Sequence, residues 1–483
     1  MVVPMQFTTL FENIAFTGVL PVGEAALVTQ DSRRVAENAV FVCTRGLTSD
    51  GHDFAANALA AGAKVIVTDH ALGIQGEVVV QNTRKAYAEL CQRFFDYPSR
   101  KLRLVAVTGT NGKTTVTTLI KEIVEKTGHK AGLIGTIHTE IDQLEIPAKY
   151  TTPEPWDLAA LMARMFSAGC TFAVLEASSQ ALDQLRLWGL YFEVAVFTNL
   201  TQDHLDYHKT FENYYLAKKS LFAQAGTMVV NIDDAYGRRL VSELPHMPTI
   251  TYSTSDNTAD YTARDIRLSA AGVQFVMVGT GFIERMSFPM PGEYSVHNAL
   301  SAAAAAVALG FSADAVSAAL TASVGVRGRC EVLYHGAYTV LCDYAHTGDA
   351  IEKVLSGIAP FAENRLLVLF GCAGERDAKK RPLMADAVMR YADFIILTSD
   401  NPRKENPYDI IGEITPLLDA GGKPYLAEVE RRAALRKALE MLSDGDVLML
   451  LGKGHEDYQV IDGVTLYLDE HRIVADWLKE NQR

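Results

Sequence analysis

A loop rich in glycine and threonine, with a single lysine, lies where an apolar run gives way to a helical segment. The run "LRLVAV" leads into "VTGTNGKTT", residues 107–115. Backbone N–H groups at the start of a helix converge on anionic oxygens, and the helix dipole favours negative charge there. The lysine of such a loop reaches the β- and γ-phosphates, and the hydroxyl after it can bind Mg²⁺. The loop therefore predicts a site for the triphosphate of ATP or GTP.

The spacing is a shorter variant of the usual phosphate loop, because Val107 stands where a glycine is expected five residues before Gly112. The alternative is an ordinary turn with an exposed lysine. The predicted nucleotide contacts in this loop are Gly109, Thr110, Asn111, Gly112, Lys113, Thr114 and Thr115.

Carboxylate, imidazole and ammonium groups follow two further apolar runs. Glu176 lies in "LEASSQALDQLR", His204 lies in "NLTQDHLDYH", and a lysine pair follows in "YYLAKKSLF". Parallel sheets bind ligands beyond the carboxyl ends of their strands. Each segment taken alone also fits a structural role: a helix cap, a hydrogen bond within a loop, or a solvated helix face.

The elements that must position these groups form three α/β segments, which predict domains at 1–100, 101–327 and 328–483. Apolar runs separated by helices indicate parallel sheets covered on both faces. The fold class is therefore α/β, with a central P-loop-type parallel sheet between an N-terminal α/β domain and a C-terminal Rossmann-like domain. The alternating segment "GVQFVMVGTGFIERMSFPMPG" predicts an antiparallel appendage.

The amino-acid composition limits the classes of binding partner that we expect for this chain. The 483 residues carry 45 Lys and Arg against 58 Asp and Glu, a net charge of −13, which disfavours general binding to nucleic acid or anionic lipid. Six scattered cysteines without a C-x-x-C pair indicate buried thiols. The N-terminal segment has no signal-peptide pattern, and the apolar run at 299–310 is too short to cross a bilayer and predicts a buried helix. We expect a cytoplasmic monomer with small-molecule partners, no nucleic acid and no membrane.

An ordered series of motifs resembles the ATP-dependent Mur ligase family, and more narrowly its branch that adds the third residue of the peptidoglycan stem. The matching segments cover nearly the whole chain. They are "DSRRV", "DGHDF", "TGTNGKTT", "YTTPE", "EASSQALDQLR", "TNLTQDHLDYH", "AKKSLF", "YSVHNALSAAA", "VRGRCE", "DYAHT", "GERDAKKRPLM", "SDNPRKENP" and "LGKGHEDYQ".

The resemblance implies an amide ligase with ATP as co-substrate and Mg²⁺ as cofactor. ATP would phosphorylate the D-glutamyl carboxylate of UDP-N-acetylmuramoyl-L-Ala-D-Glu, and the amine of meso-2,6-diaminopimelate would displace the phosphate. The implied catalytic residues are Lys113, Lys218, His204 and Glu176, and the implied Mg²⁺ ligands are Thr114, Glu176, His204 and carbamylated Lys218. Lys218 is preferred to Lys219 because the family pattern is A-K-x-x-L-F. The alternative for Lys218 is a simple cation near phosphate.

The resemblance also implies further ligand contacts. Asn298, Arg329 and Asp343 would contact ATP, which is expected between the central and C-terminal domains, although a helix cap explains Asn298 almost as well. The first domain and the start of the central domain would hold the UDP-substrate. Its implied contacts are Gln30, Ser32, Thr151, Thr152, Ser178, Gln184 and Arg186, for which capping and turn formation are the alternative.

The C-terminal motifs select the amine. Their implied diaminopimelate contacts are Arg376, Asp400, Asn401, Pro402, Arg403, Gly452 and Glu456. Diaminopimelate has a second carboxylate that lysine lacks, and the Arg403 guanidinium can bind it with two parallel hydrogen bonds. The alternative for Arg403 is an ion pair with Glu405 or a neighbour. Cys372 and Ala373 depart from the glycine that is frequent in relatives, which affects the local backbone shape.

Two rival functions are weighed. A folate polyglutamate synthetase or another Mur-type ligase would share the phosphate loop but lack the "DNPR" and "GHEDYQ" motifs. A non-catalytic nucleotide-binding relative would be expected to lose Lys218 or the acceptor contacts, and both are present. A nicotinamide dehydrogenase is excluded because no G-x-G-x-x-G follows a predicted strand.

Overall fold

Short apolar runs separated by helical segments build parallel sheets, as the sequence predicts. The computed structural model describes residues 3–46, 49–280 and 282–481. Its residues divide into two units, one made of residues up to 262 together with 301–316 and the other of 263–300 together with 317 onward. The three predicted domains with their boundaries near 100 and 327 remain a prediction.

The first unit begins with a five-stranded sheet of order β2-β7-β6-β5-β4. Strands β4 to β7 are parallel and β2 is antiparallel to β7. Apolar clusters cover both faces, as parallel sheets require. The elements are β1 (Met5–Gln6), α1 (Phe7–Leu10), β2 (Phe16–Gly18), β3 (Glu24–Ala25), β4 (Leu27–Thr29), β5 (Ala39–Val42), α2 (Ala55–Ala60), β6 (Ala63–Thr68), β7 (Glu77–Val80) and α3 (Thr83–Phe94).

The first unit continues with a second sheet, whose order is β11-β10-β9-β12-β8-β13-β14-β15. All its strands except β10 and β11 are parallel. The elements are β8 (Arg103–Thr108), α4 (Lys113–Lys126), β9 (Ala131–Ile134), β10 (His138–Ile141), β11 (Leu144–Pro147), α5 (Pro155–Ser167), β12 (Phe172–Glu176), α6 (Ser179–Asp183), β13 (Phe192–Phe197), α7 (Leu205–His208), α8 (Phe211–Lys219), β14 (Ala225–Asn231), α9 (Ala235–Glu243) and β15 (Thr249–Ser253).

An aromatic contact joins the two sheets' helices within the first unit. Trp156 at the start of α5 packs against Phe94 and Phe95 at the end of α3, with ring centroids 5.0 and 4.8 Å apart. Trp156 is buried with the apolar cluster of the N-terminal sheet. This contact fixes the start of α5, which follows the "YTTPE" motif.

The sequence then leads into an antiparallel hairpin and two helices, as the alternating pattern and the apolar run predict. Strands β17 and β18 are paired antiparallel, and the small apolar residues of the next helix are buried. The elements are β16 (Tyr261–Ser269), β17 (Gly272–Gly279), β18 (Phe282–Phe288), α10 (Glu293–Ala308) and α11 (Ala313–Thr321).

The second unit ends in a six-stranded sheet of order β19-β20-β24-β21-β22-β23. Only β19 is antiparallel, and apolar clusters cover both faces. This is the predicted Rossmann-like arrangement. The elements are β19 (Glu331–His335), β20 (Thr339–Asp343), α12 (Gly348–Ile358), β21 (Leu366–Phe370), α13 (Lys380–Tyr391), β22 (Phe394–Leu397), α14 (Pro407–Gly421), β23 (Tyr425–Ala427), α15 (Arg431–Glu440), β24 (Val447–Leu451), β25 (Tyr458–Ile461), β26 (Val464–Tyr467) and α16 (Glu470–Glu480).

Two sequence-based expectations about side chains and membranes can be compared with the described residues. All six cysteines are free and buried, as predicted. Across residues 3–46, 49–280 and 282–481, we find no helix with the length and apolar character that crossing a bilayer demands.

A buried ion pair fastens α15 to α16. Arg431 and Glu470 are 0% and 1% exposed, and Arg431 Nε donates to Glu470 Oε1 over 2.8 Å. The Arg431 guanidinium also donates to the backbone oxygen of Leu451 at the end of β24, over 2.8 Å. A buried charge with its partner removed is far more costly than an exposed one.

Replacing Glu470 with alanine is expected to lower the free energy of unfolding by about 3–5 kcal/mol, because it leaves the buried guanidinium without its counter-ion. The control is Glu480→Ala on α16, the helix that also carries Glu470. Glu480 is the exposed partner of Arg436, so its replacement should lower the free energy of unfolding by less than about 1 kcal/mol. Urea unfolding of both variants measures the difference, and equal losses would contradict this assignment.

Candidate active site

The phosphate loop connects β8 to α4 in the middle of the second sheet. Gly109 has φ +150°, and a Cβ there would lie 1.9 Å from Thr198 Oγ1, so the loop requires glycine. Thr198 Oγ1 donates to the Asn111 carbonyl oxygen over 2.6 Å, and Asn199 Oδ1 accepts from the Asn111 N–H over 3.0 Å. Two residues after β13 therefore hold the loop in shape.

The loop ends at the positive end of a long helix. Gly112 precedes α4 in a left-handed conformation with φ +87°, and the 14-residue helix directs its first N–H groups toward the loop. Lys113 Nζ donates to the carbonyl oxygens of Gly109 and Thr110, 2.9 Å in each case. Thr114 and Thr115 are buried in the first turn. The predicted phosphate contacts thus lie in the loop before α4 and in the first turn of that helix.

A second lysine meets the same loop. Lys218 on α8 is 1% exposed, and its Nζ donates to the Gly109 carbonyl oxygen over 2.8 Å. Burial, with Lys113 as a second cause, holds the pKa of Lys218 well below its ordinary value. Both effects make the proton easier to remove from Lys218 than from an exposed lysine.

Glu176 lies at the carboxyl end of β12, beside the strand that leads into the loop. It pairs with Val107 in the parallel register and is 1% exposed. Its Oε1 accepts from the Thr136 N–H over 2.8 Å and its Oε2 from the Thr136 hydroxyl over 3.0 Å. The carboxylate is thus held at the sheet edge with its orientation fixed.

His204 precedes α7 in a left-handed conformation with φ +52°. Its side chain is 44% exposed, and partial desolvation lowers its pKa; the charge of Asp203 opposes this effect, and Lys113 and Lys218 assist it. A neutral imidazole is the form that can bind a metal ion. The lowered pKa favours this neutral form and is compatible with the predicted role of His204.

Tyr214 is a further residue shared by these groups, one that the sequence motifs did not indicate. The Tyr214 ring lies 4.6 Å from Lys218 Nζ and 6.2 Å, edge to face, from the His204 ring. Its hydroxyl is 3.1 Å from Thr110 Oγ1. Tyr214 stands four residues before Lys218 on α8, on the same face of the helix, and that spacing is the signal that could have identified it.

The residues predicted for the UDP-substrate converge around a carboxylate that the sequence analysis quoted but did not select. Glu154 precedes α5, and its Oε2 accepts from Gln30 Nε2 over 2.7 Å while its Oε1 lies 2.8 Å from Arg186 Nη2. Arg186 Nη1 also donates to the Thr152 carbonyl oxygen over 2.8 Å, and its Nη2 donates to Gln184 Oε1, also over 2.8 Å. Glu154 therefore links Gln30 in the N-terminal part to Arg186, much later in the chain.

The remaining predicted acceptor contacts border this network. Thr152 Oγ1 donates to the Glu176 carbonyl oxygen over 2.7 Å and accepts from the Ser178 N–H over 3.1 Å. Thr151 Oγ1 is 3.0 Å from Thr136 Oγ1. Ser32 begins the short 3₁₀ turn Ser32–Arg34, two residues after Gln30. Ser178 caps α6, and its Oγ accepts from the Ala181 N–H over 3.3 Å, so the capping alternative applies to this residue.

A histidine cluster in the N-terminal part offers ligand atoms but no convincing metal site. His52, Asp69 and His70 present atoms within 4.8 Å of one another. Arg45 Nη2 lies 3.2 Å from Asp69 Oδ1, the oxygen that both histidines face. A guanidinium at that oxygen opposes a second cation, so we assign no metal to this cluster.

In the second unit, the residues predicted to contact the amine meet at one edge of the six-stranded sheet. Asp400 and Asn401 follow β22, and Gly452 and Glu456 follow β24, which β21 separates from β22 in the sheet order. Asn401 Nδ2 donates to Glu456 Oε2 over 3.0 Å. Gly452 has φ +101°, and a Cβ there would lie 3.5 Å from Asp400 Oδ2. Parallel connections brought these segments together.

The alternative ion pair between Arg403 and Glu405 is not formed in the structure. Glu405 lies 2.6 Å from Arg381, whereas Arg403 Nη1 donates to the Gly374 carbonyl oxygen over 2.7 Å. Among the residues that the structure describes, Arg403 has no carboxylate partner. Arg376 is exposed in the nearby loop. The Arg403 side chain therefore retains donors for an anionic ligand.

The other residues predicted for ATP also lie in the second unit. Asp343 ends β20, and its oxygens accept from the N–H groups of Cys330 and Ala345, each over 2.7 Å. Burial raises the pKa of Asp343, and Arg329 opposes that effect. Asn298 lies within α10, after the helix start, so a cap is not its position. The arrangement places Arg329 and Asp343 close together.

Comparison with known proteins identifies domains in the same order. Residues 24–104 match "Mur ligase family, catalytic domain", 107–306 match "Mur ligase middle domain" and 328–454 match "Mur ligase, glutamate ligase domain". A UDP-N-acetylmuramoyl-L-alanyl-D-glutamate–2,6-diaminopimelate ligase 1 of Clostridium acetobutylicum is 42% identical, covering 93% of this chain and 94% of its own. The corresponding ligase of Geobacillus kaustophilus is 40% identical over 99% and 100%.

A solved structure of a ligase with the same name covers the full length of both chains. It is 33% identical to this chain and superimposes with a TM-score of 0.75. The similarity thus extends over all three matched regions.

Replacing Gly109 with alanine is expected to weaken ATP binding at least about tenfold, or about 1.4 kcal/mol, because the new Cβ displaces Thr198 and deforms the loop. Gly128→Ala is the matched control, since Gly128 also has positive φ but no atom lies within 4 Å of the added Cβ. Calorimetric titration with ATP compares them; equal weakening would mean that backbone strain, not crowding at the loop, is responsible.

Proposed function

The chain belongs to the Mur ligase family, and on that premise we propose that it joins meso-2,6-diaminopimelate to UDP-N-acetylmuramoyl-L-Ala-D-Glu with hydrolysis of ATP, in peptidoglycan precursor synthesis. Relatives named for this reaction match nearly the full chain. The single structural observation that carries the proposal is Arg403, whose guanidinium lacks a carboxylate partner in the described structure while Glu456 lies on the same sheet edge.

The reaction requires activation because a carboxylate is a poor electrophile. Transfer of the γ-phosphoryl group of ATP to the D-glutamyl carboxylate gives an acyl phosphate and ADP. The amine of diaminopimelate then attacks the acyl carbon, and the tetrahedral intermediate loses phosphate and a proton to give the amide. Phosphoryl transfer of this kind depends on positioning and charge neutralisation. The loop at residues 109–115 and Lys113 supply both.

The residues that would hold Mg²⁺ are Thr114, Glu176, His204 and carbamylated Lys218. Oxygen donors suit this hard cation, and the neutral imidazole of His204 is compatible with it as a single nitrogen donor. When bound, Mg²⁺ neutralises phosphate charge. The lowered pKa of Lys218 supports carbamylation, because only a neutral amine adds to CO₂. Carbamylation would turn a buried cation into an anionic oxygen donor.

The acceptor would be held by the network around Glu154. Gln30 and Ser32 would contact the UDP end, and Thr151, Thr152, Ser178, Gln184 and Arg186 the muramoyl-dipeptide. Arg186 suits an anionic ligand because its planar guanidinium can bind a carboxylate with two hydrogen bonds. Glu154 would position Arg186 and Gln30 rather than contact the acceptor.

The amine would be selected through the two charged groups on its distal carbon, a carboxylate and an ammonium. Arg403 would bind the distal carboxylate of diaminopimelate, and Glu456 would accept from the distal ammonium. Lysine has no distal carboxylate, so it would leave the Arg403 guanidinium desolvated and unpaired.

Asn298, Arg329 and Asp343 would contact ATP, and a cytoplasmic location fits a UDP-linked acceptor.

We expect phosphate release with UDP-N-acetylmuramoyl-L-Ala-D-Glu to be strong with meso-diaminopimelate and weak with L-lysine. Arg403→Ala should lower kcat/KM for diaminopimelate at least about a hundredfold, or about 2.7 kcal/mol. Lys404→Ala removes the exposed cation next in sequence and should change it less than about twofold. Strong turnover with lysine and none with diaminopimelate would refute the proposed substrate.

Lys218→Ala is expected to abolish turnover, because it removes the proposed oxygen donor at the metal. A short-chain carboxylic acid such as acetate should restore part of the activity by supplying a carboxylate in the vacated space. Lys219→Ala is the matched control, since Lys219 pairs with Glu243 near the surface. Steady-state kinetics with added acetate is the measurement; normal turnover of Lys218→Ala would reject the role of Lys218.

A further inference from the structure

Lys453, between Gly452 and Gly454, is a buried ammonium that no role above explains. It is 0% exposed, and its Nζ donates to Asn401 Oδ1 over 2.7 Å, to the Tyr458 carbonyl oxygen over 2.8 Å and to Glu456 Oε2 over 3.1 Å. An ammonium has three N–H donors. All three therefore have partners inside the protein, which leaves Lys453 unsuited to binding a substrate directly.

The surroundings of Lys453 are acidic. Its Nζ lies 3.1 Å from Asp400 Oδ1 and 3.1 Å from Glu456 Oε2. These side chains are 7% and 13% exposed, so water screens them poorly. The single ammonium therefore balances two carboxylates on the segments after β22 and β24, and without it their repulsion would separate the two segments.

Lys453 also fixes the orientation of the Asn401 amide. Asn401 Oδ1 accepts from Lys453 and from the Val460 N–H, the latter over 2.9 Å. Because an ammonium cannot accept a hydrogen bond, the oxygen must face Lys453. The amide nitrogen then faces Glu456 and donates to its Oε2 over 3.0 Å.

The two carboxylate oxygens of Glu456 differ in the hydrogen bonds that they accept. Oε2 accepts from Asn401 and Lys453, whereas Oε1 has the Tyr344 hydroxyl at 3.4 Å, a long hydrogen bond. Charge-assisted hydrogen bonds are short and strong, so the donors at Oε2 fix the carboxylate. The Tyr458 side chain is a further hydrogen-bond partner of the carboxyl. Because its contact with Tyr344 is long, Oε1 is the oxygen that can exchange this neutral donor for a cationic group of a ligand.

We propose that Lys453 is a positioning residue, which holds Asn401 and Glu456 so that Oε1 of Glu456 receives the distal ammonium of the amino-acid substrate. This inference rests on the proposed function, because Glu456 is taken as a diaminopimelate contact. Lys453 acts through Glu456 and does not touch the reacting atoms. Its loss therefore affects recognition of the amine and leaves the other two substrates nearly unaffected.

The test is Lys453→Gln, which keeps a donor at this position and removes the charge. We expect the KM for diaminopimelate to rise at least about tenfold, with the KM values for ATP and for the UDP-linked acceptor changing less than about twofold. Lys437→Gln is the control; Lys437 pairs with Glu428 on the exposed face of α15 in the same unit, and all three KM values should stay unchanged. A general loss of stability would instead change the KM values for all three substrates, or would reduce only the fraction of enzyme that is active.

A double-mutant cycle separates action through Glu456 from an independent effect. If Lys453 works by holding Glu456, then Lys453→Gln combined with Glu456→Gln should raise the KM for diaminopimelate no further than Glu456→Gln alone. Multiplied effects, or equal changes in all three KM values, would overturn the proposal.

Two further results are assigned in advance. If the wild-type protein makes no product from diaminopimelate, the proposed function fails, independently of Lys453. If Lys453→Gln does not fold, Lys453→Arg takes its place, because it retains the charge but cannot direct donors to the same three acceptors. A diaminopimelate KM within about twofold of wild type in a folded Lys453→Arg would then overturn the proposal.

Discussion

The carbonyl oxygen of Gly109 accepts hydrogen bonds from two lysines, Lys113 over 2.9 Å and Lys218 over 2.8 Å. This contact determines the chemistry available at the loop. Burial is the main cause of the lowered pKa of Lys218, and the positive charge of Lys113 adds to it. Both effects favour loss of the Lys218 proton, on which the proposed carbamylation depends.

The strand order makes that contact possible. Because β8 lies between β12 and β13, the carboxyl ends of three parallel strands lie side by side. The central strand supplies the loop, and its neighbours supply Glu176 and the residues that clamp Asn111. The six-stranded sheet of the second unit follows the same rule, where segments after β22 and β24 bring Asn401 to Glu456. Each candidate site thus occupies the edge that parallel connections leave open.

Two charged side chains hold loop segments together through hydrogen bonds and ion pairs. Glu154 joins Gln30 to Arg186 in the first unit, and Lys453 joins Asn401 to Glu456 in the second. Each is a buried or partly buried charge whose partners come from different loops. Such networks have few alternative arrangements because an unsatisfied buried charge is costly. They convert loose loops into sites with fixed donors and acceptors.

The sequence by itself determined the family, the α/β class, the phosphate loop and the buried thiols, because glycine spacing, strand runs and helix starts are local properties of the chain. The sequence left two alternatives for Arg403, a ligand contact or an ion pair with Glu405 or a neighbour, and in the structure Glu405 pairs with Arg381. The contacts of Glu154 and Lys453 are decided by the tertiary structure. So are the contacts of Tyr214 with Thr110 and His204, although its position four residues before Lys218 is a local pattern. Their partners lie on segments that only strand order and packing bring together, and no local pattern encodes a hydrogen bond between residues such as Gly109 and Lys218.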